Sequence, residues 1–87
     1  MAEKRYALIP AYKPDKKLIK ITVQLIEKGY SVVVVDDGSG PEYADIFYEI
    51  LPYVELLIHE VNKGKGAAIK TGLEFIAEDG KEDYTVV

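Results

Sequence analysis

Residues 32–35 are four consecutive valines, and Asp36-Asp37-Gly38-Ser39-Gly40 follows them without a break. Four β-branched side chains in a row suit extended backbone, whereas a strand with one face in water would alternate apolar and polar residues. The run therefore predicts a strand buried on both faces, which requires a sheet with helices packed on each side of it. The two carboxylates and the glycine turn come where such a strand leaves the core. Open α/β sheets bind ligands outside the carboxyl ends of their strands, so the stretch is a core strand and a candidate site together.

The rest of the chain supplies the partners that such a strand needs. Tyr6-Ala7-Leu8-Ile9 predicts a first strand ended by Pro10, with Ala11-Tyr12-Lys13-Pro14 as a loop between two prolines. Asp15 is placed to cap a helix whose apolar residues, Leu18, Ile19, Thr22, Leu25 and Ile26, recur at three- and four-residue spacing, and Gly29 suits its C-terminal stop. After the valines, Pro41 suits a first helical position. Tyr43, Ile46, Phe47, Ile50 and Leu51 form the apolar face of a second helix, which Pro52 closes. Residues 54–59 predict a third strand. The turn Val61-Asn62-Lys63-Gly64-Lys65-Gly66 leads into a third helix that starts near Gly66 or Ala67. That helix buries Ala68, Thr71 or Gly72, Phe75 and Ile76, and Asp79-Gly80 ends it. Residues 84–87 read as the opening of a fourth strand. The order β-α-β-α-β-α-β with short connections predicts an α/β fold with a parallel sheet and right-handed crossovers. Because the chain stops inside a strand pattern, the expectation is the N-terminal piece of a longer protein.

Composition narrows the function. At 48% hydrophobic and 30% charged residues the chain has the balance of a folded domain rather than a disordered one. A net charge of −4 gives no basic footprint for nucleic acid. With no cysteine and one histidine, His59, disulfide scaffolds, thiolate zinc sites and multi-histidine metal sites are excluded. The apolar run near the N-terminus is too short for a signal peptide or a membrane span, so a cytoplasmic location is the default expectation.

Three strand-to-helix loops should open on one edge of the sheet: residues 10–14, 36–41 and 62–66. Tyr12 offers a face for stacking a base. Asp36 and Asp37 can accept hydrogen bonds from a base N–H or from ribose hydroxyls. Gly64 and Gly66 let a ligand approach the backbone, and Lys63 and Lys65 bring positive charge beside a helix N-terminus suited to phosphate. Each feature also has a purely structural reading: Tyr12 as cover for the sheet edge, the aspartates as turn and cap chemistry, the third loop as a turn with solvated lysines. His59 reads as a strand-end residue without a catalytic role, and Lys16, Lys17 and Lys20 as the solvated face of a helix. Gly64-x-Gly66 is a weak dinucleotide fingerprint, since Ile69 stands where a third glycine belongs, and no P-loop spacing is present.

Together the loops are far more specific. Ile9-Pro10-Ala11-Tyr12-Lys13-Pro14, Val34-Val35-Asp36-Asp37-Gly38-Ser39 and the stretch from Asn62 through Lys63-Gly64-Lys65-Gly66-Ala67-Ala68 to Gly72 resemble, in order and spacing, the GT-A glycosyltransferases of family 2. The third motif is similar to the branch containing dolichyl-phosphate mannose synthases and bacterial polyprenyl-phosphate sugar transferases. The resemblance implies a Rossmann-like (GT-A) sheet in which residues 1–87 are the nucleotide-binding N-terminal portion, interrupted in or after the fourth strand. It implies a nucleotide-diphosphate sugar donor whose base is walled by Pro10, Ala11 and Tyr12. Asp37 would accept from the base imide, Asp36 would support the loop or contact the ribose, and Lys65 with the Gly64-Lys65-Gly66 backbone would lie near the base or diphosphate. Lys13 stands where the family often has asparagine.

The family's Asp-x-Asp motif, which holds a divalent metal (Mg or Mn) on the diphosphate, is expected after Val87, within about ten residues for a short βα connection. No metal ligand is expected among the residues present, and the chain alone should not catalyse transfer to polyprenyl phosphate or any other acceptor. A small receiver-like regulatory module with Asp36 and Asp37 as an acidic pocket is the alternative. It is disfavoured because receiver acidic pairs follow the first strand, not the second. An incomplete sheet also predicts dimerisation or strand exchange through residues 84–87 or another exposed edge.

Overall fold

The computed structural model describes residues 4–78 and 83–87. Strand β1 (Tyr6–Ala11), helix α1 (Lys17–Glu27), β2 (Ser31–Asp37), α2 (Ala44–Ile50), β3 (Glu55–His59), α3 (Lys65–Glu78) and β4 (Tyr84–Val86) alternate along the chain. The strands form one parallel sheet in the order β3-β2-β1-β4. This is the start of a Rossmann-like order, which runs outward from β1 to β3 and then returns to the other side of β1. A receiver-like sheet would place β1 between β2 and β3, so the strand order sets that alternative aside.

The valine strand is central and buried on both faces. Val32 and Val34 join Ala7, Ile9, Leu18, Phe47 and Ile50 in the layer beneath α1 and α2. Val33 and Val35 join Tyr6, Leu8, Ala68 and Ile76 beneath α3. Side chains alternate across a strand, so each valine serves one layer, at about 1.5–3 kcal/mol per fully buried side chain. Right-handed crossovers explain the division: α1 and α2 carry the chain one way across the sheet, and α3 carries it back on the other face.

Helix α1 begins where Asp15 Oδ1 accepts the Lys17 N–H at 2.8 Å. It ends in a Schellman arrangement, with Gly29 N–H donating to the Ile26 carbonyl and Tyr30 N–H to the Leu25 carbonyl, around a Gly29 φ of 89°. Leu18 and Thr22 are buried on its inner face, and the Thr22 hydroxyl has no hydrogen-bond partner among the described residues. Helix α3 presents Gly72 to the sheet at a position where a Cβ would overlap Leu8 Cδ1, so helix and strand touch more closely than any larger residue allows.

Several sequence expectations need correction. Strand β1 runs through Pro10 to Ala11, because Pro10 faces the β4 side and its missing N–H removes no bond to β2; the neighbouring contacts fix this alternation, with Leu8 O accepting from Val87 N–H and Arg5 O from Ser31 N–H. The second helix is shorter than its apolar pattern suggests. It is flanked by 3-10 turns at Pro41–Tyr43 and Leu51–Tyr53, and Leu51 is exposed. Strand β3 starts at Glu55 rather than Val54, and Ile58 on this edge strand is exposed. Helix α3 starts at Lys65, one or two residues before the expected position. The expected stop at Asp79-Gly80 lies outside the described residues. Among the described residues, no helix is long and apolar enough to cross a membrane.

Candidate functional site

The three loops do converge at the carboxyl ends of the strands. A cleft of about 290 Å³ there is lined by Pro10, Ala11, Tyr12, Asp37, Asn62, Lys65, Ala68 and Val87. It lies over β1, between the side of the sheet that carries β2 and β3 and the side that carries β4. Strand order reverses at this point, which is where open α/β sheets hold their ligands.

The paired aspartates do not act as a pair. Consecutive strand residues face opposite sides, so Asp37 follows Val35 onto the α3 face and lines this cleft. Asp36 follows Val34 onto the α2 face, beside an apolar groove formed by Ala44, Phe47, Tyr48, Leu51, Leu56 and Ile58. There Asp36 Oδ1 accepts the Ser39 N–H at 3.0 Å and shapes the turn after β2. Ser39 in turn accepts the Lys13 N–H on its Oγ at 2.9 Å, tying the β1 loop to the β2 loop.

Asp37 is the hub of the cleft floor. It is 3% exposed, and four hydrogen bonds converge on its carboxylate. Oδ1 accepts from His59 Nδ1 at 2.8 Å and from Lys63 N–H at 2.9 Å. Oδ2 accepts from Asn62 Nδ2 at 3.1 Å and from Gly64 N–H at 2.9 Å. A carboxylate offers about four lone-pair sites, so this one is fully used by the chain itself. The His59 hydrogen bond holds the Asp37 carboxyl below the usual carboxylate range; burial opposes that shift, and the Lys63 and Gly64 N–H groups reinforce it.

Gly64 also accepts the Ala68 N–H on its carbonyl at 3.1 Å, which starts α3. Lys65 and Ala68 of this first turn line the cleft, and the first N–H groups of a helix have no intrahelical acceptors. A helix N-terminus with an adjacent lysine is a ready site for phosphate. Gly66 lies in that first turn and does not line the cleft; a Cβ there would meet only open space. Across the cleft Tyr12 is half exposed, with Lys13 Nζ 5.3 Å from its ring centroid. Lys13 has a φ of 47°, in the left-handed region where asparagine is at ease and lysine is not.

His59, Asn62 and Thr71 were not legible as site residues. His59 is buried at the end of β3, and Thr71 Oγ1 lies 2.8 Å from its Nε2. The signal available was positional: the only histidine stands at the carboxyl end of a predicted strand, on the same edge as Asp37. The parallel register then puts His59 directly opposite Asp37.

Residues 6–86 match glycosyl transferase family 2. The chain is 33% identical over 84 residues to an uncharacterized protein of Methanocaldococcus jannaschii, covering 92% of this chain and 37% of that protein. It is 31% identical over 99 residues to the UDP-N-acetylglucosamine–dolichyl-phosphate N-acetylglucosaminyltransferase of Methanococcus voltae, covering 94% of this chain and 39% of that enzyme. The chain thus spans less than two fifths of the length of either relative. The family match runs from the first residue of β1 to the last of β4 and takes in all three loops, so the chain belongs to glycosyl transferase family 2.

Proposed function

We propose that the cleft over β1 holds the nucleotide of a nucleotide-diphosphate sugar, and that the protein transfers this sugar to a polyprenyl phosphate. The observation that carries the reading is one cleft that joins an aromatic wall, Tyr12, to an open helix N-terminus with Lys65 beside it. The base lies between Pro10, Ala11 and Tyr12 at one end, and the diphosphate reaches the first turn of α3 at the other. Asp37 and Asn62 form the floor between them. For Asp37 to accept from a base imide, one of its four bonds must yield. The Asn62 amide is the natural one, because it is exposed and makes the longest of the four contacts. The acceptor class rests on the likeness to the dolichyl-phosphate enzyme of Methanococcus voltae.

Family membership also implies a divalent metal on the diphosphate. Among the described residues no three His, Asp or Glu side chains gather where they could hold an ion. Those residues do not fit the metal, and as part of the proposal its Asp-x-Asp ligands follow Val87. A metal held by such ligands would supply charge compensation for the leaving diphosphate. The residues of the cleft bind and orient the nucleotide.

Calorimetric titration with UDP and GDP, each with and without Mn²⁺, tests the reading. Saturable binding of one nucleotide, weakened by Tyr12→Ala and by Lys65→Ala, is expected. Absence of binding by both nucleotides would overturn it, as would binding indifferent to both substitutions.

A further inference from the structure

His59 touches no part of the cleft surface, yet it links three elements beneath it. Its Nδ1 lies 2.8 Å from Asp37 Oδ1 at the end of β2, and its Nε2 lies 2.8 Å from Thr71 Oγ1 in α3. The His59 side chain is 8% exposed. An ionised carboxylate only accepts hydrogen bonds, so Nδ1 must carry the hydrogen in that contact. The other end is adaptable. The Thr71 hydroxyl lies 3.0 Å from the Ala67 carbonyl and can donate to it while accepting from a protonated Nε2, or turn and donate to a bare Nε2. The Nδ1–H to Asp37 bond is therefore kept in either state of the ring.

Asp37 is the point on which the Asn62 side chain and the Lys63 and Gly64 N–H groups are fastened, and Gly64 opens α3. We propose that His59 is a positioning residue of the donor site. By fixing the Asp37 carboxylate it sets residues 62–64, and through them the N-terminus of α3 and Lys65, against the bound diphosphate. Without the Nδ1 donor, one lone pair of a buried carboxylate is unpaired. The carboxylate then turns toward the open cleft for water and releases the Lys63 and Gly64 N–H groups. The functional half of this inference rests on the proposed nucleotide site; the structural half does not.

Two polar substitutions separate the ends of the ring. The amide nitrogen of His59→Asn superimposes on Nδ1 and keeps a donor for Asp37, whereas that of His59→Gln superimposes on Nε2 and keeps one only for Thr71. Hydrogen exchange in the unliganded protein is expected to show Lys63 and Gly64 near wild-type protection in His59→Asn. In His59→Gln their protection is expected to fall by about tenfold, the equivalent of one lost hydrogen bond of ordinary net strength. UDP affinity is expected to follow the same order, with the glutamine variant weaker. Equal protection of the two amides in both variants would overturn the inference. Should the glutamine variant not fold, the wild-type protein decides the question by ¹⁵N-edited NMR of the ring. A slowly exchanging Nδ1-bound proton is expected, and a ring protonated only at Nε2 would refute the arrangement. If wild-type protein binds neither UDP nor GDP, the nucleotide site fails as a proposal. The exchange experiment still tests the role of His59 in holding the loop.

Discussion

Gly38, in the turn after β2, offers a quantitative test of how the site is assembled. Its φ is 74°, and a Cβ there would overlap the backbone of Val61 and Asn62, the start of the loop that Asp37 fastens. Gly29 has a φ of 89°, but a Cβ there would meet nothing within 4 Å, so it isolates the conformational cost alone. That cost is about 1–2 kcal/mol for an L-residue in the left-handed region. Gly38→Ala carries the same cost and must also push the backbone of Val61 and Asn62 away, because no rotamer change can relieve a contact with main chain. The displacement breaks at least the Asn62 bond to the Asp37 carboxylate, and a hydrogen bond to a charged group contributes about 1.5–3 kcal/mol. Gly38→Ala should therefore cost about 2.5–5 kcal/mol against about 1–2 kcal/mol for Gly29→Ala. A domain of this kind has a total stability of about 5–15 kcal/mol, so the first variant should be visibly crippled and the second only weakened. With no tryptophan in the chain, urea unfolding followed by far-ultraviolet circular dichroism is the suitable assay. Equal destabilisation by the two substitutions, to within about 0.5 kcal/mol, would refute the tight packing of the β2 turn against the residue 61–62 backbone.

Other substitutions probe separate parts of the account. Thr22→Val removes a buried hydroxyl that has no partner among the described residues and should stabilise the protein by about 1 kcal/mol, read as a higher urea midpoint with an unchanged slope. Lys13→Asn relieves a left-handed lysine and should raise stability by about 0.5–1 kcal/mol, or a few degrees in thermal unfolding; a drop would show that the Lys13 side chain contributes more than its backbone costs. Asp37 has a folded pKa below its unfolded one. Its contribution is therefore complete above the unfolded carboxylate value of about 3.9 and is lost as pH falls through the folded value. The stability gap between wild type and Asp37→Asn should be widest near neutral pH and narrow in acid, and a gap that stays constant down to about pH 2 would contradict this.

Much of the architecture was legible because it follows from local patterns. Four adjacent valines can only serve two layers, and Val32 with Val34 and Val33 with Val35 divide between them. Asp15 and Gly29 mark the ends of α1 by their own chemistry. Alternating strands and helices establish a parallel sheet without saying on which side of β1 the chain returns; the order β3-β2-β1-β4 was legible only through the family resemblance, which implied a Rossmann-like sheet. The exposure of Leu51 and Ile58 was not legible, since it depends on α2 being short and β3 lying at an edge. Within the site, Pro10, Ala11, Tyr12, Asp37 and Lys65 come together as the loop reading expects. The resemblance implied separate roles for Asp36 and Asp37; that they lie on opposite faces of the sheet, with Asp36 shaping the turn after β2, follows from strand alternation. His59 reads in the sequence only as a strand-end residue because its partners, Asp37 and Thr71, are 22 and 12 residues away; the β2–β3 register brings Asp37 opposite it, and the packing of α3 brings Thr71.

The central claim is that the carboxyl-end cleft over β1 receives a nucleotide. The most direct measurement is an amide chemical-shift map of the ¹⁵N-labelled protein titrated with UDP. Saturable changes concentrated at residues 11–12, 37 and 62–66 are expected. No change at saturating nucleotide would contradict the claim, as would changes centred on the opposite end of the sheet, where Tyr6, Tyr30 and Tyr53 line a separate and larger cleft of about 460 Å³.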